Sequence, residues 1–373
     1  MNQDPFQEYM RDSEPGKREK SYAWQTGIGL QAVDGLKTSD YLLRTAVRNI
    51  KGEISFQEAK ALLQSYYEEH PPRTFEDRTE EADKVSVRIA ELLLEKAFSF
   101  TPQEYISIHR KLFAGIYSHA GRLRDYNITK QEWVLDGASV LYGSATELRA
   151  TLDYDFSEER NFSYKGLSMD ETICHLAGFL SRLWQIHIFG EGNTRVTAVF
   201  FIKYLRTLGF EVTNDVFAEN AWYFRNALVR ANYNDLKIGI HETTAFLELF
   251  LRNLLLDEHH PLRNRTLHIG WSNDEAMKPD IGEAKPDIDG TKPDIGAAKP
   301  DIMAEFLPKT AGNIRKLREA FPEGAVFGRT EVMKVLGLKA SGASELLMKL
   351  RKSGMVEAVS GQGKGKYRFI LFS

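Results

Sequence analysis

Four copies of a seven-residue unit, KPDIGEA, KPDIDGT, KPDIGAA and KPDIMAE, run from Lys278 to Glu305 and divide the chain. A proline in every copy removes a backbone donor and blocks a continuous helix. The segment is rich in charge and poor in aromatic residues, which is the composition of an extended, mobile linker rather than of a core. The repeats read as a linker in preference to a docking motif, and so as a domain boundary within the 373 residues.

With 42% hydrophobic residues the chain can bury a sizeable core. No run approaches the roughly 18 apolar residues of a membrane span. The start of the chain is polar and contains acids, unlike a signal peptide, so a cytoplasmic protein without membrane contact is expected. A single cysteine, Cys174, excludes an internal disulfide framework and a thiolate zinc cluster, and its helical setting reads as that of a small buried filler. The net charge of −3 is unevenly spread: residues 305–373 hold 13 Lys or Arg against 6 Glu, a net of +7, which leaves −10 for the rest.

The basic C-terminal piece shows three helical patterns, Ala304 to Ala320, Arg329 to Leu336 and Ser341 to Ser353. Strand-like segments Val356 to Val359 and Tyr367 to Phe372 follow, joined by a glycine- and lysine-rich turn. This order resembles a winged helix, with Lys349, Arg351 and Lys352 near a recognition helix and Lys364, Lys366 and Arg368 in the wing. Such a module binds DNA or protein, and the sequence leaves both open.

Before the repeats, helical periodicity dominates. Leu42, Leu43, Ala46, Val47 and Ile50 form one amphipathic face and Phe56, Ala59, Leu62, Leu63 and Tyr66 another, which predicts a helical pair packed on the main body. Between Tyr126 and Leu141 the apolar residues instead flank Asp136-Gly137, a hairpin signal that predicts a flap lying over helices. The architecture expected is mostly α: a helical core with a small β-hairpin flap, plus a small α+β winged helix. Its boundaries fall at 1–75, 76–260, 261–304 for the linker and 305–373.

The densest chemistry lies in His187-Ile188-Phe189-Gly190-Glu191-Gly192-Asn193-Thr194-Arg195. His187 follows a helical apolar pattern ending at Trp184, and a second helix starts at Asn193. The dipole and free N–H groups of that helix point back at the glycine loop, where an anion fits. His187, the only histidine that the sequence places beside the loop, suits a general base for a hydroxyl nucleophile. Glu191 offers the hard oxygen that magnesium prefers. Gly192, Asn193 and Thr194 supply backbone donors, and Arg195 adds a guanidinium fork for phosphate.

These nine residues match the signature H-x-F-x-[DE]-G-N-x-R of the Fic (Fido) family, and the resemblance extends through the flanking elements Arg122 to Tyr126 and Ala221 to Asn226, from about Asp83 to Asp257. It implies a protein adenylyltransferase that moves AMP from ATP, with Mg²⁺, onto a Ser, Thr or Tyr hydroxyl of a target protein. It implies a target-docking flap at Val140, Leu141, Tyr142 and Gly143, where Tyr142 also reads as a packed hairpin residue. Asn232 aligns with a position that contacts adenosine.

Two departures stand out. Many family members carry a second arginine three residues after the first; here that position is Ala198. Leu30 to Leu36 resembles the inhibitory [ST]-x-x-x-E-[GN] motif of Fic antitoxins, with Leu30 in place of the hydroxyl residue and Asp34-Gly35 in place of Glu-Gly. The inhibitory salt bridge thus reads as removed from both ends, leaving an N-terminal segment that obstructs ATP less tightly. The alternatives are a winged-helix DNA-binding regulator with a weak or idle Fic domain, or a different nucleotidyl or phosphoryl transfer. The oligomeric state is open, a homo-oligomer included.

Overall fold

The computed structural model describes Phe6, Tyr9, residues 14–72, 74, 77–212, 216–271, 325–338, 356–359 and 366–369, and single positions at 313, 316, 317, 320, 321, 343, 346, 347 and 350. The chain separates into two compact units, Met1–Pro293 and Asp294–Ser373. The KPDI repeats lie outside the described residues. Among the described residues no helix is long and apolar enough to cross a membrane.

The regular elements described in the first unit are helices. Helices α1 (Pro15–Gly29), α2 (Asp40–Ile50), α3 (Phe56–Glu69) and α4 (Thr79–Leu94) are followed by α5 (Pro102–Phe113), α6 (Leu148–Asn161), α7 (Met169–Ile186) and α8 (Asn193–Thr207). Then come α9 (Val216–Glu219), α10 (Ala221–Arg230) and α11 (Ala245–Leu256). Local chemistry sets several starts. Ser55 with Glu58 and Ser168 with Glu171 form reciprocal capping boxes, and Thr101 caps α5 ahead of Pro102.

At the centre lies α8, buried from Asn193 to Leu205, with α7 and α5 packed against it. A helix apolar all round belongs in a core, and its few polar side chains are satisfied there. Lys203 Nζ donates to the carbonyls of Leu92 and Glu95, and Thr197 hydrogen-bonds Tyr105.

The expected helical pair is present as α2 and α3, and it shares one continuous core with the rest of the unit through Leu42, Ala46 and Leu63. Asp83 fastens it from α4, accepting from Ser39 and from the Tyr67 hydroxyl. Helix α1, unforeseen in the sequence, packs along α4 and α9. Its buried residues are Ser21, Ala23, Trp24, Thr26 and Gly27, so close approach rather than an apolar stripe seats it. A Cβ on Gly27 would lie 2.6 Å from the Ser86 carbonyl oxygen, and one on Gly29 would lie 2.4 Å from Ala218 Cα.

The flap, residues 126–144, doubles back through a short 3₁₀ turn at Trp133–Leu135, with Asp136 and Gly137 at positive φ. Glu132 N–H donates to the Ala138 carbonyl, but no strand ladder runs through the flap. Cys174 is exposed, not a buried filler, because it falls on the outer face of α7.

The second unit has its own core, with Leu317, Phe327, Val332, Leu346, Leu350 and Val356 buried. Helix α12 (Arg329–Leu336) is followed by β2 (Val356–Ala358) and β3 (Lys366–Phe369), close to the strands expected. A short β1 (Phe327–Gly328) joins them in an antiparallel sheet of order β1-β3-β2, with Phe327 opposite Tyr367 and Val356 opposite Phe369. Lys349, Arg351, Lys352 and Lys364 lie outside the described residues. Lys366 is paired with Glu331, and Arg368 is exposed.

Candidate functional site

Helix α7 ends at His187, which adopts a left-handed conformation, φ 51°, rarely seen outside glycine and asparagine. The turn aims the ring inward. His187 Nδ1 donates to the Trp184 carbonyl at 3.3 Å, so Nε2 carries the free lone pair, and that atom is buried without a hydrogen-bond partner. Burial pushes the imidazole well below its ordinary pKa, and the positive charges of Lys130, Arg124 and Arg225 push it further. The ring is therefore neutral at neutral pH, as a proton acceptor must be.

The loop from Ile188 to Gly192 is braced by its own asparagine. Asn193 accepts from the Phe189 N–H and donates back to the Phe189 carbonyl. Gly190 leaves room for the Tyr126 hydroxyl, 2.7 Å from where a Cβ would be. Gly192 stands at φ 74° against the Phe113 ring, 2.4 Å from its absent Cβ, so both glycines have a steric reason. His109 accepts from the Gly121 N–H and donates through Nε2 to the Glu191 carbonyl, stacked on Phe189 at 3.7 Å. Burial lowers its pKa to about 3, so it is a neutral brace. His119 Nε2 lies near Gly190, buried and without a hydrogen-bond partner, so His187 is not alone beside the loop.

Arg124 binds the two ends of the flap to this motif. Its guanidinium donates to the carbonyls of His187, Tyr126 and Gly143. Tyr142 lies on the His187 ring, centroids 4.4 Å apart, and its hydroxyl donates to the buried Glu132, which pairs with Arg225 at 2.6 Å.

Arg195 is fully buried and faces the N-terminal segment. It donates to Gln31 at 3.0 Å and to Glu81 at 2.8 Å, and it pairs with Asp34 at 2.8 Å. Asp34 ends the 3₁₀ turn Leu30–Asp34, and Gly35 follows in the left-handed conformation that turns the chain away. The ion pair that the sequence reads as removed from both ends is present. It runs from the shorter acid to the motif's own arginine.

Residues 99–205 match the Fic/DOC family. That segment is similar to Fic/DOC domains. Domains of that family are transferases that act on proteins. The chain is also similar to the N-terminal FIC domain of the Bep8 protein of Bartonella sp. 1-1C, at 19% identity over 50% of this chain and 88% of that one, TM-score 0.39. It is similar to a Fic family protein from Desulfovibrio desulfuricans G20, at 14% identity over 92% of this chain and 96% of that one, TM-score 0.34. No match is found among curated proteins.

Across the first unit, the residues singled out from the sequence divide by what holds them. His187, Glu191 and the start of α8 come together around one loop. Thr194 accepts from the Trp184 indole N–H, and Asn193 closes the loop, so both present only their backbone to a ligand. Asn232 sits between α7 and α10 with its amide engaged by Ser181 and the Leu228 carbonyl. In the flap, Val140 and Tyr142 are buried while Leu141 is 85% exposed, the alternation of an extended strand. With Gly143 they line a cleft of about 550 Å³. Ala198 is buried in the core.

Sequence reasoning missed His109, Arg78, Glu81 and Tyr117. All four act through contacts far apart in the chain, up to 114 residues between Glu81 and Arg195, and no local pattern marks them.

Proposed function

We propose that the protein transfers AMP from ATP to a hydroxyl of a target protein, and that the arrangement described is the closed state held by Asp34. The free, buried Nε2 of neutral His187 beside an anion-binding helix start carries the reading. In the reaction, Nε2 takes the hydroxyl proton as the hydroxyl oxygen bonds the α-phosphorus; the bond from that phosphorus to the bridging oxygen breaks and pyrophosphate leaves. The backbone N–H groups at the start of α8 face the charge that develops on the transferred group.

Glu191 suits a magnesium ion. Its carboxylate receives no hydrogen bond or ion pair among the described residues, and no cluster of three His, Cys, Asp or Glu stands ready to hold a metal alone. One hard carboxylate oxygen fits an ion that completes its shell with phosphate and water. Such an ion would neutralise phosphate charge.

The flap supports a peptide substrate. Leu141 projects outward beside the cleft, and an extended edge recognises a target strand through its backbone.

The test is incubation of the full chain and of Asp34→Ala with Mg²⁺ and ATP labelled on the α-phosphate. Label is expected on a protein band, several-fold more with Asp34→Ala, and none with His187→Ala. No label from any form, with any protein mixture, would sink the reading.

A further inference from the structure

We infer that residues 264–269, which follow α11, are the positioning element of the flap: they hold its turn against α10 and so set the Tyr142 ring on His187. This rests on the reading of residues 126–144 as the flap that receives a target, and adds to it the part of the chain that fixes its place.

The flap cannot hold itself. No strand ladder runs through it, and a doubled-back segment on its own is marginal in water. Yet Val134 and Leu135, at its turn, are buried. Two consecutive residues far along the chain meet that turn. The Ile269 N–H donates to the Val134 carbonyl at 2.9 Å, and the His268 ring lies against Trp133, centroids 5.0 Å apart. His268 is held in turn, since its Nδ1 accepts from the Gly270 N–H at 3.0 Å.

The segment is anchored on α10 from below. Asn226 Nδ2 donates to Asn264 Oδ1 at 2.9 Å, and Arg230 Nη1 donates to the Leu267 carbonyl at 2.9 Å. Asn226 and Arg230 are four residues apart and share one face of the helix. Both hydrogen bonds are buried, where an unmade bond is costly, so the segment has one seat. Its approach is fixed as well: the Asn253 side chain, on α11, donates to the His260 carbonyl and accepts from the His260 N–H, each at 2.9 Å.

The flap reaches the same helix by its own route. Arg225, next to Asn226, pairs with Glu132 at 2.6 Å, and Glu132 accepts from the Tyr142 hydroxyl at 3.1 Å. Trp133 directly follows Glu132, so a shift of the turn moves that carboxylate. With it moves the tyrosine whose ring centroid lies 4.4 Å from that of His187. His268 and Ile269 are thus positioning residues, acting on the proposed base through the turn, Glu132 and Tyr142.

The test is hydrogen exchange, read by mass spectrometry, on the full chain and on its His268→Ala, His268→Phe and Ile269→Pro variants. Proline at 269 removes the donor to Val134, and His268 already has the extended backbone, φ −64° and ψ 131°, that suits the residue before a proline. Exchange in residues 126–144 is expected to rise about tenfold in His268→Ala and in Ile269→Pro, and to stay at the natural rate in His268→Phe, with α5 and α8 unchanged in all three. In the Asp34→Ala background, His268→Ala should leave calorimetric ATP affinity unchanged while labelling from α-labelled ATP falls several-fold. Unchanged flap exchange in both loosening variants overturns the inference, as does an equal rise in the flap and α8, which marks a general loss of packing. Failure of Asp34→Ala to label any protein counts against the transfer reading alone, because the exchange comparison needs no nucleotide.

Discussion

Glu81 shows how much one side chain can hold. It lies in α4, accepts from two arginines and a tyrosine, and is 9% exposed. Burial pushes its carboxyl up, but Arg195, Arg78 and the hydrogen bonds from Arg78 and Tyr117 outweigh that and bring it down to about 2 from 4.5. A folded-state pKa below the unfolded one contributes stability that is complete above about 4.5 and is lost as pH falls through 2. The shift corresponds to something on the order of 3 kcal/mol. Glu81→Gln is therefore expected to be less stable than the natural protein at neutral pH, because two buried guanidiniums lose their shared partner. The gap should narrow as pH is lowered from about 5 toward 2, read by denaturant melts at each pH; a pH-independent gap would show that Glu81 is not ionised in the fold. At this scale the motif residues were legible because glycine, histidine and arginine recur at fixed spacing around a helix start. Glu81 was not, because a charged residue in the first turn of an amphipathic helix looks the same whether it faces water or an arginine over a hundred residues away.

Among elements, α1 decides how firmly Asp34 is held. It runs straight into the 3₁₀ turn that carries Gln31 and Asp34, and it reaches α4 and α9 only because glycines let the backbones meet. A methyl at Gly29 collides with the backbone of Ala218, which cannot rotate away as a side chain would. Gly29→Ala should cost about 1 to 3 kcal/mol of stability as overpacking does. It should also raise labelling from α-labelled ATP, since moving α1 moves Asp34. A stable Gly29→Ala protein with unchanged labelling would separate the helix from any restraint on the site. Deleting everything before Thr74 is a poorer test, because Trp24, Leu30, Leu42 and Leu63 are integral to the core. Helices α2 and α3 were legible from their apolar stripes. Helix α1 was invisible for a physical reason: Ser21, Ala23, Thr26 and Gly27 form a small-residue face that periodic hydrophobicity does not register. The flap turn at Asp136-Gly137 was legible too, whereas its lack of a strand ladder follows from side chains, Arg124 and Glu132, that hold it in place of backbone pairing.

For the whole molecule, two cores are found among the described residues, and they share no residue. Cooperativity follows shared burial, so cores without common residues are expected to unfold as separate transitions. The larger core contains the N-terminal helices, α5 to α8 and α11, and the second unit, Asp294–Ser373, is the smaller body with less apolar area to bury. Scanning calorimetry of the full chain should therefore show a minor transition beside a major one. A fragment ending at Pro293 should keep the major transition within about 2 °C, since 1 kcal/mol moves a body of this size by roughly that much or more. It should also keep the ATP response of Asp34→Ala. If removal of the second unit lowers the major transition well beyond that margin, the two cores are coupled, and control of the site would have to include the C-terminal unit as well as Asp34.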